Sequence, residues 1–160
     1  MRGGFTHNRV LADRLAQAFE CAGAVVLREH PVRAGRNPRC VDLWVEWNRC
    51  FIAGEIEIEP RRAGGDLDKA RQLGAHILLL VTPTGRVARA VEQFLKRSGH
   101  GIDELRPRIF VMPLGAALQA VANKSLLRSV SIVTQTLILE SVNHADSGQT
   151  TNPNHNQRFS

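Results

Sequence analysis

Residues 40–59, with the sequence CVDLWVEWNRCFIAGEIEIE, decide the fold of this chain because apolar and polar side chains alternate on either side of a short polar break. Alternation with a period of two predicts strands at residues 40–47 and 50–59. Only Asn48 and Arg49 need lie between them, so we expect a tight antiparallel hairpin. One face of this hairpin is expected to carry Val41, Leu43, Val45 and Trp47 together with Ile52, Gly54, Ile56 and Ile58.

The other face of the hairpin carries several acidic side chains close together. If the turn holds two residues, counting back along both strands places Asp42 directly opposite Glu55. Cross-strand neighbours of this kind have Cβ atoms roughly 4.5–5.5 Å apart. Glu57 follows Glu55 on the same face, about 7 Å further along. Like charges at such distances repel each other and destabilise the strand pair, so this pattern requires an explanation.

Two explanations of the acidic face fit the residues. In the first, Asp42, Glu55 and Glu57 hold Mg²⁺ or Mn²⁺, since these ions bind one or two carboxylates together with waters and substrate phosphate. Such an ion would polarise a phosphoryl oxygen and activate a water for phosphodiester cleavage. In the second, the acidic side chains only keep an exposed strand soluble, and Arg61 and Arg62 neutralise them.

The flanking sequence extends the hairpin into a larger α/β unit. We predict helices at residues 6–22, 66–74, 84–99 and 115–123, and further strands at residues 24–30, 75–81 and 108–114. Asp66 is expected to cap the second helix. The strand AHILLLV is apolar on both faces, which is typical of an interior strand covered on both sides. We therefore expect a mixed central sheet flanked by helices, in which the hairpin is followed by βαβ crossovers.

The length of 160 residues is enough for one ordinary domain. We place this domain at residues 1–123, a C-terminal extension at residues 124–141 and a polar tail without stable structure at residues 142–160. Within the extension, the segment SIVTQTLILE fits a strand or a helix equally well.

The charge balance and the distribution of arginine indicate a polyanionic partner. The chain carries 21 Lys and Arg residues against 15 Asp and Glu residues, a formal net charge of +6. A basic surface favours nucleic acid or an anionic membrane face, and a charge that serves only solubility in an arginine-rich chain is an equally good explanation. Three arginines precede the strand of Asp42 and two follow the strand of Glu55, where they are placed to contact phosphates. These arginines are Arg33, Arg36, Arg39, Arg61 and Arg62.

Several classes of protein are disfavoured by the sequence. The three cysteines form no CxxC pair and the histidines have no ligand spacing, which argues against a structural zinc site and favours a reduced, cytoplasmic chain. No apolar run reaches the roughly 18 residues of a membrane span, and the first residues lack a secretory signal. The glycine-rich loops of nucleotide-binding domains are also missing, which disfavours a small-molecule-binding α/β domain.

The order of elements and the acidic pair together resemble the PD-(D/E)XK, or restriction-endonuclease-like, nuclease superfamily. Its core runs helix, three strands, helix, strand, with an Asp on the second strand and a (D/E)-x-K signature on the third. Here Asp42 in CVDLW takes the first position and Glu55 in GEIEIEP takes the second. The resemblance covers about residues 6–82, and within the superfamily it is nearest to the Holliday-junction-resolvase and Mrr-like members.

This chain departs from the superfamily pattern at several positions. Val41 replaces the proline before the Asp, and Glu57 replaces the lysine, which gives ExE. Lys69, or one of the two arginines after the second hairpin strand, could supply the missing cation. Where the family often has an acid on the first helix, this chain has His7 and Asn8 near the start.

The resemblance therefore implies an α/β fold with an αβββαβ core and a metal-dependent DNA endonuclease. Asp42, Glu55, Glu57 and Lys69 would be catalytic, and the three acids would hold Mg²⁺ or Mn²⁺. DNA would be the partner, with no membrane involved, and assembly into a homodimer is compatible with the sequence. The alternative is a catalytically inactive nuclease-fold module that binds nucleic acid or serves in assembly.

Overall fold

A five-stranded mixed sheet with helices on both faces organises the described part of the chain. The computed structural model describes residues 3–32, 39–99 and 107–129, and for residues 3–7 it describes the backbone alone. The strands are β1 (Val25–Val32), β2 (Arg39–Trp47), β3 (Cys50–Ile56), β4 (Ile77–Thr82) and β5 (Arg108–Pro113). The helices are α1 (Gly3–Cys21), α2 (Ala63–Gln72), α3 (Gly85–Arg97) and α4 (Leu114–Ala122).

The strands lie in the order β1-β2-β3-β4-β5, so each strand pairs with its neighbour in sequence. The first three are antiparallel, whereas β4 lies parallel to both β3 and β5. Parallel neighbours need a crossover, which α2 and α3 provide. The predicted mixed α/β sheet, with a hairpin followed by crossovers, is therefore confirmed.

The β2–β3 turn fixes the register of the acidic residues. Asn48 and Arg49 have φ values of 50° and 63°. Two central residues with positive φ are typical of a type I′ turn, whose twist matches that of the strands. Trp47 accordingly pairs with Cys50, and the ladder continues to Leu43 opposite Gly54. One further step along this register places Asp42 opposite Glu55, as the sequence predicted.

Two apolar layers hold the helices against the sheet. Helices α1 and α4 pack on one face, where Leu15 and Phe19 are fully buried, and α2 and α3 pack on the other through Leu67 and Leu95. All six residues of β4 are buried. The prediction of an interior strand covered on both faces is therefore confirmed.

Two helices end where the sequence predicted, at glycines. Gly23 follows α1 with φ +86° and Gly74 follows α2 with φ +69°. Glycine adopts this left-handed conformation without the steric cost that a Cβ atom brings. The chain can therefore turn sharply from each helix into the next strand.

The alternation of β2 is interrupted at Asp42, which corrects one prediction. Val41 lies in the layer beneath α2, whereas Leu43 lies in the layer beneath α1. The strand therefore rotates about Asp42, and the expectation that Val41 shares a face with Leu43 is wrong. The register between β1 and β2 skips Asp42 and Glu29, and Glu29 has φ +50°, so the distortion extends to the neighbouring strand.

Two element boundaries beside the site also differ from the prediction, and β1 continues through Pro31 to Val32 instead of ending at residue 30. Strand β3 ends at Ile56 instead of residue 59, although Glu57 N–H still donates to Val81 O over 2.8 Å. A 3-10 turn at Pro60–Arg62 leads directly into α2, so the N-cap residue is Arg62. Asp66 lies inside the first turn of α2 and does not cap it, because the preceding turn already has helical geometry.

The C-terminal region is described only in part. Residues 125–129 are helical, and Leu126 is buried against the layer beneath α1 and α4. The remainder of the predicted extension, residues 130–141, and the predicted tail, residues 142–160, lie outside the described residues. Among the helices that the structure describes, none is long and apolar enough to cross a membrane.

Candidate functional site

One cavity of about 590 Å³ collects acidic side chains from β2, from β3 and the segment after it, and from α2. We call it the carboxylate cavity and define it by Asp42, Glu55, Glu57, Asp66 and Lys69. Glu55, Glu57 and Asp66 are only 4%, 3% and 7% exposed. Carboxylates are rarely buried unless they are paired, so this cluster is the strongest departure from ordinary core composition among the described residues.

Asp42 and Glu55 each accept a hydrogen bond from a backbone N–H of the other residue's strand. The N–H of Ile56 donates to Asp42 Oδ2 over 2.8 Å, and the N–H of Asp42 donates to Glu55 Oε2 over 3.4 Å. Each carboxylate thus accepts a hydrogen bond from the strand that carries the other. The sequence prediction that these two side chains meet across the hairpin is confirmed by this geometry.

Lys69 lies between the hairpin and α2. Its Nζ atom is 2.5 Å from Glu55 Oε1 and 2.8 Å from Asp66 Oδ1, and it donates to the carbonyl oxygen of Cys40 over 3.0 Å. Asp66 and Lys69 stand three residues apart, which places them on the same side of α2. A cation from the segment after β3 therefore does reach the carboxylates.

Glu57 lies just beyond β3, where the chain turns away from the sheet. Its Oε1 accepts a hydrogen bond from Glu59 N–H over 2.5 Å, and Asp66 lines the same cavity. Burial, followed by the neighbouring carboxyl group of Asp66, raises the pKa of Glu57 to about 8.

The other two strand carboxyls also resist ionisation. Burial, followed by the negative charges of Asp66 and Asp42, raises the pKa of Glu55 to about 9, while the ammonium group of Lys69 opposes this rise. Burial also raises the pKa of Asp42, against the effect of the Ile56 hydrogen bond. In turn, Glu55 and Asp66 raise the pKa of Lys69 and so keep it positively charged. The cavity thus carries more carboxyl groups than its lysine can neutralise.

Two carboxylates of the cavity are suitable ligands for a small hard cation. Asp42 and Glu55 offer carboxylate oxygens from neighbouring strands, and one or two carboxylates are enough for Mg²⁺ when waters and phosphate complete the shell. Burial raises the pKa values of these carboxyl groups, and added positive charge would favour their ionised form. In residues 3–32, 39–99 and 107–129, however, no three His, Cys, Asp or Glu side chains form a group that could hold a metal ion. The three-ligand set of Asp42, Glu55 and Glu57 therefore stays a prediction.

Basic side chains line the rim of the carboxylate cavity. Arg39, Arg61 and Arg62 contribute to its lining and are all exposed. Arg62 also lies 3.5 Å from Glu59 in an exposed ion pair. Arg33 and Arg36 lie outside the described residues. The structure thus places three of the five predicted arginines beside the predicted acidic pair.

The sequence prediction gave no role in the site to two residues that line it. Asp66 was interpreted as a helix cap, although its position three residues before Lys69 is a signal that the two share one helix face. Asn8 of α1 lines the cavity, and among the described residues its buried Oδ1 atom has no hydrogen-bond partner. The sequence named Asn8 only as the residue near the start of the first helix, where the resemblance would place an acid, and the packing of α1 against the sheet brings it to the cavity.

Comparison with known proteins adds no family to this description. No protein-family model matches the chain, and no curated protein or solved structure is significantly similar to it.

Proposed function

We propose that this protein is a metal-dependent DNA endonuclease of the PD-(D/E)XK type. One observation supports this most strongly: Asp42 and Glu55 meet across neighbouring strands in a cavity that also contains Lys69 and is rimmed by arginines. Paired buried carboxylates with a lysine suit phosphodiester hydrolysis, and exposed arginines suit a phosphate backbone.

The order of elements supports the same proposal. The chain runs α1, β1, β2, β3, α2, β4, which is the helix, three strands, helix, strand order that the resemblance implies. Asp42 lies on the second strand and Glu55 near the end of the third. We therefore propose the restriction-endonuclease-like layout as the finer description of this α/β sheet.

Asp42 and Glu55 would hold Mg²⁺ or Mn²⁺ in this proposal. The ion would supply positive charge to the phosphoryl oxygens and lower the pKa of a bound water. The hydrogen bond from Ile56 N–H orients the carboxylate of Asp42. Such fixed orientation matters because a metal site tolerates little movement of its ligands.

Lys69 would take the role of the lysine that the ExE sequence lacks. Its amino group lies within 3 Å of Glu55 and Asp66, which keep it charged, and it would lie close to the reacting phosphate. It would stabilise the negative charge that develops during cleavage. Glu57, whose pKa is raised to about 8, would be ionised above that pH and would then accept the proton of the attacking water.

A second candidate function is a nuclease-fold module that binds nucleic acid or serves in assembly without cutting. The observation that favours it is the same lysine, because Lys69 contacts both Glu55 and Asp66 and so satisfies part of their charge without a metal. The arginine rim would still contact phosphates in such a protein.

Nicking of supercoiled plasmid DNA in Mg²⁺ or Mn²⁺ tests the proposal. We expect the wild-type protein to nick and Asp42→Asn to lose this activity while it keeps the fold, since the amide can still accept the Ile56 hydrogen bond. Asp68→Asn is the matched control, because Asp68 lies exposed on α2 outside the cavity. Nicking by Asp42→Asn at the wild-type rate would remove Asp42 from the mechanism.

Calorimetry with Mn²⁺ separates the two candidate functions. An endonuclease should bind Mn²⁺, and Glu55→Gln should weaken that binding. DNA binding without nicking and without Mn²⁺ uptake at millimolar concentration would support the non-cutting module instead.

A further inference from the structure

Helix α3 carries an exposed basic face outside the carboxylate cavity. Its buried side packs against the sheet through Ala88, Val91 and Leu95. The opposite side is exposed and carries four basic residues and one amide, which are Arg86, Arg89, Gln93, Lys96 and Arg97. Spacings of three and four residues place these side chains in one row along the helix. We call this row the α3 basic face.

The basic residues of this face have no acidic partner in the part of the chain that the structure describes. Basic side chains on other elements lie beside acids, as Arg28 does with Glu20 at 2.9 Å and Lys69 with Asp66 at 2.8 Å. No such ion pair involves a basic residue of α3. Glu92, the one acid in the sequence of α3, is half-buried and does not belong to the exposed row. Neighbouring like charges on a helix repel each other, and a bound polyanion would remove this repulsion.

The start of the α3 basic face lies at the same edge of the sheet as the carboxylate cavity. Strands β3 and β4 are parallel, so the segments that follow their carboxyl ends meet at one edge. The segment after β3 contains the 3-10 turn at Pro60–Arg62, which carries two arginines of the rim and packs against α3. Arg86 lies in the first turn of α3, where the hydroxyl of Thr84 accepts a hydrogen bond from Val87 N–H over 3.3 Å. The arginine rim and the start of the α3 basic face are therefore neighbours.

The arginines at this edge follow the edge, whereas α3 leads away from it. Strand β2 is antiparallel to β3, so Arg39 at the start of β2 lies at the same edge as the end of β3. Helix α3 runs back along the sheet, because it joins β4 to the parallel strand β5. At a rise of about 1.5 Å per residue, Arg97 lies roughly 16 Å further along the helix than Arg86. A polyanion that follows the edge would thus meet Arg86 and Arg89 but not the end of the helix.

We propose that the DNA backbone, after crossing the arginine rim, continues over the first two turns of α3, where Arg86 and Arg89 bind its phosphates. This inference rests on the proposed function and extends its DNA-binding surface beyond the cavity. Arginines bind phosphates through charge-assisted hydrogen bonds, which position the DNA but carry no sequence information. The contact would therefore hold DNA over the carboxylate cavity without selecting a sequence.

Anisotropy titration of a short DNA duplex at several salt concentrations, without divalent metal, tests this inference. Each phosphate contact contributes about one to the slope of log affinity against log salt. We expect Arg86→Ala/Arg89→Ala to reduce the slope by about two, and Arg86→Lys/Arg89→Lys to keep most of it, because lysine still supplies the charge. Lys96→Ala/Arg97→Ala is the matched control. It removes the same charge from the same exposed face, and we expect it to leave the slope unchanged.

Three binding results would overturn the inference. An unchanged slope in Arg86→Ala/Arg89→Ala would exclude these arginines as phosphate contacts, and an equal loss in the control would show that only the net charge of the protein matters. Two duplexes bound per wild-type protein would show that α3 binds DNA apart from the cavity. Plasmid nicking in Mg²⁺ is scored separately. Nicking by the wild-type protein with an unchanged slope in the variant rejects this inference alone, whereas the expected slopes without nicking reject only the endonuclease.

Discussion

The amino group of Lys69 on α2 lies 2.5 Å from Oε1 of Glu55 on β3, and the same group contacts Asp66 and the backbone of β2. One side chain thus connects the helix to both strands of the acidic hairpin. This contact places positive charge at the point where the carboxylates repel each other most.

We expect Lys69→Met to destabilise the protein in a pH-dependent way. At pH 10, above the raised pKa of about 9 for Glu55, the loss should be about 3 kcal/mol in the free energy of unfolding, because Lys69 no longer compensates the ionised carboxylate. At pH 5 the loss should be smaller, because burial raises the pKa of Glu55 and its carboxyl group is then protonated. Urea denaturation at both pH values measures the difference. Lys96→Met, on the exposed side of α3, is the control, and an equal loss at both pH values would contradict the prediction.

Glu57→Gln should change the pH dependence of stability in the opposite sense. The pKa of Glu57 is raised to about 8 in the folded protein, so its contribution to stability is complete below its unfolded pKa and is lost as the pH rises towards 8. The glutamine variant cannot ionise, so it should gain stability relative to wild type between pH 5 and pH 9. Thermal unfolding across this range measures the gain. Glu46→Gln, an exposed residue of β2, provides the comparison, and a constant difference between Glu57→Gln and wild type would refute the expectation.

Binding of Mn²⁺ should release protons and become tighter as the pH rises. Metal ligation requires ionised carboxylates, and the pKa values of Asp42 and Glu55 are both raised by burial. Calorimetry at pH 6 and pH 8, in two buffers with different ionisation enthalpies, counts the protons. The same affinity at both pH values, with no proton release, would show that these two carboxyls are not the ligands.

The arginine rim should control the salt dependence of DNA binding. Arg39→Ala, Arg61→Ala and Arg62→Ala should each weaken binding of unrelated sequences to a similar degree and reduce the salt slope by about one. Arg97→Ala on α3 should leave the slope unchanged, because Arg97 is exposed but does not line the carboxylate cavity. Anisotropy titrations at several salt concentrations provide the slopes. An unchanged slope in all three rim variants would exclude the rim as the phosphate contact.

Replacement of Arg49 in the β2–β3 turn by glycine should stabilise the protein. Arg49 has φ +63°, which glycine adopts more easily than a residue with a side chain. We expect Arg49→Gly to raise the free energy of unfolding by about 0.5–1 kcal/mol, as Asn-Gly is a favoured type I′ pair. Arg49→Val should lower it, because a β-branched residue is strained at positive φ. Urea denaturation of both variants checks the two directions, and a stabilised valine variant would contradict the turn assignment.

The hairpin and the acidic pair could be predicted from the sequence because both depend on local spacing. Period-two alternation around two turn residues determines the strands and their register, and the register determines that Asp42 lies opposite Glu55. The helix ends were predictable for a similar reason, since Gly23 and Gly74 each follow an amphipathic segment.

The remaining parts of the site depend on how separate elements pack, which spacing does not encode. The rotation of β2 at Asp42 brings Val41 under α2, and simple alternation cannot predict it. Asp66 enters the cavity because a 3-10 turn extends α2 towards the hairpin. Asn8 reaches the same place from α1, which precedes the acidic strands by a whole strand and loop. Long-range packing of this kind becomes visible only in the structure.

The type I′ turn at Asn48 and Arg49 has a consequence for how this chain can vary. Inserting one residue at the tip would shift one strand by a single position, and Glu55 would then point into the opposite apolar layer. In our proposal, the turn contacts neither the metal ion nor DNA. Its length nevertheless determines whether Asp42 and Glu55 lie opposite each other at the other end of the hairpin. We therefore expect a natural variant that has a longer turn and keeps Asp42 and Glu55 to fold without a functional metal site.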